Sequence, residues 1–342
     1  MASSSSSGSG YVKLMGMALA PKTLAKYSQA FDLFLDFCNR QGFKAMNERD
    51  VDRYMTLYLQ HLYDSGQSFH LGACAVFGLQ HKVPWMAHHL NGSKLALKGW
   101  HRSSPSVSHP PLTWELTCLL SVWMAVRGEY DAALMMLVGF DCYLRIGELM
   151  NLTVQDVAMA NDPRIGAAYR GVLLRLGKTK TGTNQTVTVE SNDVAFLLQQ
   201  HVRGRKVNEK VFSVPQTRFY TLMRQACCAF GLGEHGYTAH SLRHGGATRH
   251  FLQGKPIADI QFRGRWSNAK SVRTYIQSGR ALLLLTNVDS DVFLVAQDCS
   301  RLIRPLYHYL LKLASQQHEC VGWSDACNSG WSPGWSPFMS LE

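Results

Sequence analysis

Apolar side chains recur at helical spacing through the first third of the chain. In the clearest stretch, apolar and aromatic residues stand at i, i+3, i+4 and i+7: Val51, Tyr54, Met55, Tyr58, Leu59 and Leu62. This period places them on one face of an amphipathic helix that follows Asn47. A similar stripe over residues 24–38 predicts an earlier helix with Thr23 as its N-cap, and weaker patterns predict helices near residues 73–80 and 93–101.

The remainder of the chain combines helical patterns with one pair of short strands. Residues 171–177 (GVLLRLG) and 186–190 (TVTVE) are apolar or β-branched runs around the polar turn KTKTGTNQ. This is the pattern of two antiparallel strands. Helical patterns occupy most other segments, at residues 113–127, 130–140, 194–202, 216–230, 240–252, 256–263 and 267–285. The sequence thus predicts a mainly α fold with a small antiparallel β-sheet, an α+β class.

Composition marks the boundaries between segments. Residues 1–20 open with MASSSSSGSG, which predicts a disordered leader rather than a signal peptide. The helical domain is predicted over residues 21–102, and a Ser- and Pro-rich linker, SSPSVSHPP, over residues 103–111. A second domain is predicted over residues 112–286. Residues 287–342 would then form a further helix and a tail that carries the near-repeat GWSPGWSP.

Charge and cysteine content narrow the class of protein. The 342 residues carry a formal net charge of +11, with a pI of about 9.3, which favours a polyanionic partner such as nucleic acid. The apolar runs are too short to predict a membrane span. Nine cysteines without a CxxC pair argue against a disulfide framework and a Cys-based zinc site. They suit a reducing, intracellular compartment.

Residues 65–114 contain no Asp or Glu, although they hold four cationic side chains and six histidines. The four cations are Lys82, Lys94, Lys98 and Arg102. One interpretation is a basic surface without a function. Because the segment lies in a basic chain, a surface that contacts the phosphates of a nucleic acid is the favoured interpretation.

The densest cationic stretch is HSLRHGGATRH, at residues 240–250. On a helix, His240 and Arg243 lie three residues apart and therefore share a face. Zinc is disfavoured there, because few carboxylates are near and an arginine repels a bound cation. By itself the His-x-x-Arg pattern would fit an ordinary solvated helix as well as a phosphodiester pocket.

Further motifs stand on either side of this stretch. Upstream, YLRIGELMNL holds Arg145 and Glu148, and LRLGKTKTG holds a strand and its turn; downstream, GRWSNAKSVRTYI holds Trp266 and Tyr275, nine residues apart. Arg, Lys, His-x-x-Arg, Trp and Tyr in this order resemble the tyrosine recombinase (phage integrase) family, which includes recombinases of mobile elements such as Cryptons. The resemblance covers residues 113–285. More loosely, residues 21–102 resemble the family's helical core-binding domain.

The resemblance implies a metal-free and cofactor-free cleavage of DNA by a protein nucleophile. Tyr275 would attack the scissile phosphate and form a covalent 3′-phosphotyrosine link, which keeps the bond energy for rejoining. Arg145 and Arg243 would bind the non-bridging oxygens, and His240 would donate to the phosphate or accept the tyrosine proton. Trp266 stands where histidine is commoner in the family, and its indole N–H can donate a hydrogen bond but cannot shuttle a proton.

Three roles in the resemblance leave a choice between residues or functions. Trp266 could bind a phosphate oxygen, or it could mainly pack and position the helix that carries Tyr275. The lysine that protonates the leaving 5′ oxygen would be Lys180, which has the better Lys-Thr-Gly context, or else Lys178. Glu148 could be a simple ion-pair partner of Arg145, and it could also orient Arg145 toward the phosphate.

The resemblance also implies partners: double-stranded DNA, and further copies of the chain as a dimer on one site and a tetramer in synapsis. Basic residues around the Trp–Tyr motif are predicted to contact DNA: Arg263, Arg265, Lys270 and Arg273. The location would be nuclear in a eukaryotic cell. Two other functions remain open: relaxation of DNA by a type IB topoisomerase, and DNA binding by a non-catalytic descendant of a mobile-element recombinase.

Overall fold

The structure is a computed structural model that describes residues 17–104, 108–160, 162, 164, 171–177 and 185–321, with side chains as far as residue 313. Residues 1–16 of the predicted leader, the turn with Lys178 and Lys180, and the GWSP near-repeat lie outside the described residues. The chain divides into two compact units, Met1–Val107 and Ser108–Glu342. No helix in the described ranges is both long and apolar enough to cross a membrane.

The first unit is built from helices. They are α1 (Pro21–Arg40), α2 (Glu48–Asp64), α3 (Phe69–Lys82) and α4 (Asn91–Ser103), with a 3₁₀ turn at Pro84–His88. The stripe predicted on α2 faces the core, where Met55, Tyr58, Leu59 and Leu62 are buried. Asn47 caps α2 by accepting a hydrogen bond from the Asp50 N–H.

Thr23 is not the N-cap of α1. The helix begins at Pro21, two residues earlier, and its cap residue Ala20 makes no side-chain hydrogen bond. Proline is well suited to this first helical position because its φ is already fixed near the helical value and it has no N–H to leave unpaired.

The second unit surrounds a small sheet with helices. The elements are α5 (Trp114–Val126), α6 (Tyr130–Asp141), α7 (Ile146–Asn151), β1 (Val157–Ala158), β2 (Val172–Leu176), β3 (Gln185–Val189), α8 (Asn192–Val202), α9 (Gln216–Ala229), α10 (Ala239–Leu252), α11 (Ile257–Gly264), α12 (Ala269–Tyr275), α13 (Ser278–Leu285), α14 (Ser290–Arg301) and α15 (Ile303–Val321). The mainly α class with a small antiparallel sheet is therefore confirmed.

The sheet has three strands in the order β1-β2-β3, all antiparallel. Leu174 at the centre of β2 pairs with Val157 on one side and Val187 on the other. Alternate residues of β2 are buried, as expected for a sheet with one face on the core. The sequence pattern did not indicate β1, because a two-residue strand is too short to show an alternation.

Close packing of α10 against its neighbours depends on two glycines of the HSLRHGGATRH stretch. A Cβ atom on Gly245 would lie 2.0 Å from the Leu112 carbonyl oxygen, and one on Gly246 would lie 2.2 Å from that of Phe140. Because main-chain atoms cannot move aside cheaply, only glycine fits at both positions. Gly246 lets α10 lie close to α6, and Gly245 lets it lie close to the chain at Leu112, just before α5.

Two features of the structure lie at the predicted boundaries of the second domain. Pro110 and Leu112, near the end of the predicted linker, are buried in the second unit, where the Leu112 N–H donates to the Ser241 carbonyl. At the other end, the single helix predicted after residue 286 is a pair, α14 and α15, whose residues Ala296 and Tyr307 belong to the core of this unit. Residue 286 therefore does not separate a tail from the packed body.

The predicted helix over residues 267–285 is two helices, α12 and α13. The chain leaves the helical conformation at Ile276, immediately after Tyr275. The Thr248 hydroxyl donates to the Tyr275 carbonyl at 3.3 Å and accepts from the Gln277 N–H at 3.1 Å. A side chain from α10 thus provides hydrogen bonds at the break, which the local sequence could not indicate.

Candidate active site

Arg243 lies at the centre of the site, fully buried on α10. Its guanidinium donates to the carbonyl oxygens of Tyr143 and Gly264, while Nε has no hydrogen-bond partner among the described residues. Burial lowers the pKa of Arg243 to about 10, and the charges of Arg145 and Arg265 add to that effect. The guanidinium is still protonated at neutral pH, and its Nε–H is uncommitted.

Two aromatic rings cover Arg243. Its guanidinium carbon lies 4.5 Å from the ring centroid of Trp266 and 5.3 Å from that of Tyr275, within the range of a cation–π contact. The two rings also contact each other, with centroids 4.7 Å apart. The residues from the two sequence motifs therefore form one cluster.

Trp266 packs its indole against the end of α11. Gly264 makes room for it, since a Cβ atom there would lie 1.8 Å from the indole ring. The indole is buried, and its Nε1–H has no acceptor within the described chain. Like Nε of Arg243, this buried N–H is a donor that a ligand oxygen could satisfy.

Arg145 enters the site as the residue that precedes α7. Its Nη1 donates to Glu148 Oε1 at 2.7 Å, and its backbone N–H donates to Glu148 Oε2 at 2.9 Å. Arg265 reaches the same carboxylate and donates from Nη2 to Oε2 at 2.8 Å. Burial alone would raise the pKa of the Glu148 carboxyl, but these two arginines hold it below its usual value. Glu148 is therefore an ionised carboxylate shared by two arginines.

Three histidines lie next to this cluster. His240 stacks on His109, with ring centroids 5.2 Å apart. Desolvation of the ring, followed by the charges of His109, Arg243 and Arg145, lowers the pKa of His240. His240 is thus predominantly neutral at pH 7 and has both a donor and an acceptor nitrogen. Nowhere in the described ranges do three potential metal ligands converge.

His244 and Gln277 hold the chain that carries Tyr275. The His244 ring lies 4.5 Å from the Tyr275 ring, and its Nδ1 accepts from Gln277 Nε2 at 2.9 Å. Gln277 Nε2 also lies 2.7 Å from the Ser108 hydroxyl, to which it can donate. Burial lowers the pKa of His244 to about 4, so this ring is a neutral contact at physiological pH.

An open groove of about 640 Å³ runs along one side of the site. Its lining includes Arg145, Glu148, Arg175 and His240, and it extends to Gly177 at the end of β2. Gly177 is the last described residue before the segment that holds Lys178 and Lys180.

Two of the arginines predicted to contact DNA are buried ion-pair residues. The side chain of Arg263 is 8% exposed and contacts Asp141 and Glu190. That of Arg265 is 5% exposed and contacts Glu148. Carboxylates engage both side chains in the structure, and the contact of these two arginines with DNA stays a prediction.

The other predicted DNA contacts are exposed residues. In the second unit these are Lys270 and Arg273 on α12, and in the first unit they are Lys82, Lys94, Lys98 and Arg102. Lys94 and Lys98 border a groove between α3 and α4 that is lined mainly by apolar atoms of residues such as Phe69 and Phe77. Their exposure leaves these six cations accessible to a polyanion.

Residues 119–281 match the phage integrase family. This segment of the chain belongs to that family. The integrase domain so defined contains every described residue of the cluster, Arg145, His240, Arg243, Trp266 and Tyr275, and lies entirely within the second unit. No curated protein matches the chain significantly.

Solved integrase structures share the fold of the chain. One is a lambda integrase dimer bound to a COC′ core site, with a TM-score of 0.54 and 15% identity over 79% of this chain and 95% of that one. Another is the Tn1549 transposon integrase in complex with circular intermediate DNA, with a TM-score of 0.51 and 13% identity over 74% of this chain and 98% of that one. At these identities the similarity is one of fold.

Several residues of the candidate site were not assigned from the sequence. His244 lies inside the HSLRHGGATRH stretch and His109 inside the predicted linker, but neither position indicated a ring contact with the cluster. Gln277 and Tyr143 carried no signal of their own. Only the pairing of distant segments brings these side chains to the site.

Proposed function

We propose that the protein is a site-specific DNA recombinase that cleaves and rejoins DNA through a 3′-phosphotyrosine intermediate. The observation that carries this proposal is the cluster of Tyr275, Trp266 and Arg243 inside the integrase domain, beside the groove that holds Arg145 and His240. Each side chain has a chemical role in the transfer of a phosphoryl group from DNA to a tyrosine.

In the proposed reaction, Tyr275 Oη attacks the scissile phosphorus and the bond to the 5′ oxygen breaks. The 3′ phosphate becomes a tyrosyl ester, and the tyrosine proton passes to His240 or to solvent. The leaving 5′ oxygen takes a proton from the turn lysine. Attack by another 5′ hydroxyl reverses these steps and joins the strands, so no water or metal is consumed.

Electrostatics favour a phosphate at this position. Three arginines, Arg145, Arg243 and Arg265, lie near one carboxylate, that of Glu148, which pairs with Arg145 and Arg265, so the cluster has an excess of positive charge. Arg243 Nε and Trp266 Nε1 are buried donors without a partner in the described chain, and a phosphate oxygen would satisfy them. Preorganised donors of this kind stabilise the charge that develops in a transition state.

Access to Arg243 requires a movement of the nucleophile. Arg243 is wholly inaccessible to solvent, and the ring of Tyr275 is one of the two that cover it. A phosphate can therefore reach this guanidinium only when the Tyr275 ring swings outward. The short helix α12 ends at Tyr275, and the non-helical residue that follows gives the side chain a place to pivot.

The proposed partners are double-stranded DNA and further copies of the chain, a dimer on one site and a tetramer in synapsis. Of the two solved structures that share this fold, one is a lambda integrase dimer bound to a COC′ core site and the other is the Tn1549 transposon integrase in complex with circular intermediate DNA. The excess of cationic residues in the chain supports DNA as the partner here too.

The decisive test is to trap the intermediate. The full chain would be incubated with a library of random-sequence duplexes, each nicked so that the cleaved fragment diffuses away. We expect a covalent protein–DNA adduct whose peptide map shows DNA on Tyr275. Relaxation of supercoiled plasmid without recombinant joints would instead indicate a topoisomerase, and DNA binding without any adduct would indicate a non-catalytic descendant.

Lys180 is proposed as the general acid, a prediction that rests on the sequence because the turn lies outside the described residues. Lys180→Ala should slow cleavage by roughly 10²- to 10⁴-fold, the usual contribution of a general acid. A 5′-bridging phosphorothiolate should restore the rate, because sulfur leaves without a proton. Lys178→Ala is the matched control and should change DNA binding alone; rescue of this variant by the sulfur substrate would transfer the role to Lys178.

The cations on α4 are proposed to contact phosphates. Joint replacement of Lys94, Lys98 and Arg102 by alanine should flatten the slope of log affinity against log salt by about two to three units, because each lost phosphate contact removes about 0.9. Binding should weaken equally on all sequences, since phosphate contacts position a protein without specifying bases. An unchanged slope would show that this surface does not face DNA.

A further inference from the structure

Arg265 has a backbone conformation that arginine rarely adopts. It follows the last residue of α11 with φ +56° and ψ 40°, in the left-handed region where glycine is normally found. A side chain with a Cβ atom is strained there. The arginine at this position is also almost completely buried, so its guanidinium gives up hydration as well. Backbone strain and loss of hydration both cost free energy, which indicates that the Arg265 side chain has a specific role in the site.

The guanidinium of Arg265 occupies one oxygen of a carboxylate in the site. Its Nη2 donates to Glu148 Oε2 at 2.8 Å, and its Nη1 donates to the Arg263 carbonyl at 3.2 Å. Oε2 also accepts the backbone N–H of Arg145. The Arg145 side chain therefore has only the other oxygen, Oε1, which it reaches with Nη1 at 2.7 Å.

This division of the carboxylate matters because arginine and carboxylate prefer a two-bond pairing. A guanidinium fork matches both oxygens of a carboxylate, and such bidentate pairs are the stronger arrangement. If Arg145 formed one, two of its donor nitrogens would be committed to Glu148. In the structure it commits Nη1 alone, and its Nε and Nη2 have no protein partner among the described residues.

We propose that Arg265 is a positioning residue that occupies Oε2 of Glu148 and thereby keeps Arg145 in a one-nitrogen contact, with its remaining donors free for the scissile phosphate. This inference rests on the proposed function for the identity of the phosphate. The charge balance supports it, since one carboxylate shared by two arginines leaves a net positive charge beside the groove, whereas a closed Arg145–Glu148 pair would be neutral.

The test is Arg265→Gly, studied in the full chain. Glycine adopts φ +56° without strain. The substitution therefore removes the guanidinium and the backbone strain together, and the variant should fold. In a crystal structure of the variant we expect two hydrogen bonds between the Arg145 guanidinium and the Glu148 carboxylate.

The first-order rate of adduct formation at saturating DNA should fall by roughly 10- to 100-fold, less than for loss of a direct donor. DNA affinity should change by less than about twofold, because noncovalent binding rests on many phosphate contacts.

Two further variants separate positioning from a general effect of burial. Arg265→Lys keeps the charge but not the planar fork, and should recover part of the rate. Arg263→Ala removes a neighbouring buried arginine that pairs with Asp141 and Glu190, and should leave Arg145 in its one-nitrogen contact. Guanidinium chloride at a concentration too low to unfold the protein should speed cleavage by Arg265→Gly, but not by Arg263→Ala.

Failure of the inference about Arg265 and failure of the proposed function give different results. A one-nitrogen contact in the Arg265→Gly crystal overturns the inference whatever the cleavage rate, and so does an unchanged rate when the unmodified protein is active. If the unmodified protein forms no adduct with DNA, the proposed function fails. The Arg145–Glu148 geometry in the variant crystal still decides whether Arg265 positions Arg145.

Discussion

Replacing Tyr275 with phenylalanine is expected to abolish the covalent DNA adduct and leave DNA binding nearly unchanged. The substitution removes only the phenolic oxygen, which is the atom proposed to attack phosphorus. The ring that contacts Trp266 and His244 remains, so the packing at the end of α12 is preserved. Adduct formation would be measured by denaturing gel electrophoresis on the nicked library, and binding by a filter or mobility assay on intact duplex.

Tyr220→Phe is the matched control for the loss of a phenolic hydroxyl. Tyr220 lies on α9, partly exposed, and its hydroxyl accepts a hydrogen bond from Gln216 within the same helix. This variant should form the adduct at the unaltered rate. An undiminished adduct in Tyr275→Phe would show that another residue is the nucleophile.

Replacing Gly246 with alanine is expected to destabilise the second unit severely. The added methyl group would lie 2.2 Å from the Phe140 carbonyl oxygen and 2.7 Å from the Tyr143 ring, so α10 would have to move away from α6. Overpacking usually lowers the free energy of unfolding by about 1–3 kcal/mol. Because the clash here is with main-chain atoms, we expect a loss at or above the upper end of that range. Equilibrium unfolding in urea, followed by circular dichroism, would measure the loss, and failure to obtain folded protein would be its extreme form.

Gly279→Ala supplies the comparison for that substitution. Gly279 lies in the helix α13, and a Cβ atom there would meet nothing within 4 Å. Because alanine favours helix over glycine by up to about 1 kcal/mol, this variant should be as stable as the parent or slightly more stable. If Gly246→Ala proved equally well tolerated, the close approach of α10 and α6 would not be required for folding.

The helices were largely predictable because their signals are local. The stripe on α2 has the period of a helix and a capping asparagine directly before it, and both properties belong to the segment itself. The same holds for the paired strands β2 and β3, whose apolar alternation flanks one polar turn. The break after Tyr275 was missed because its hydrogen bonds come from Thr248 on another helix.

Residue types and their order also predicted which side chains the candidate site would hold, but they did not indicate the partners of each side chain. His240 and Arg243 could be placed on one helix face from their spacing alone. That the Arg265 side chain pairs with Glu148 depends on α11 ending beside α7. A sequence records that an arginine is present but gives no indication of which carboxylate folding will bring to it.

The sequence by itself determined the class of fold, the basic character of the chain and the set of candidate site residues, because composition, periodicity and motif order are properties of the chain before it folds. Only the tertiary structure decided how those side chains are used. It packed Tyr275 over Arg243, stacked His109 on His240 and divided the Glu148 carboxylate between two arginines. These contacts join segments far apart in the chain, and they form only because the apolar faces and the glycines of α10 bring those segments together.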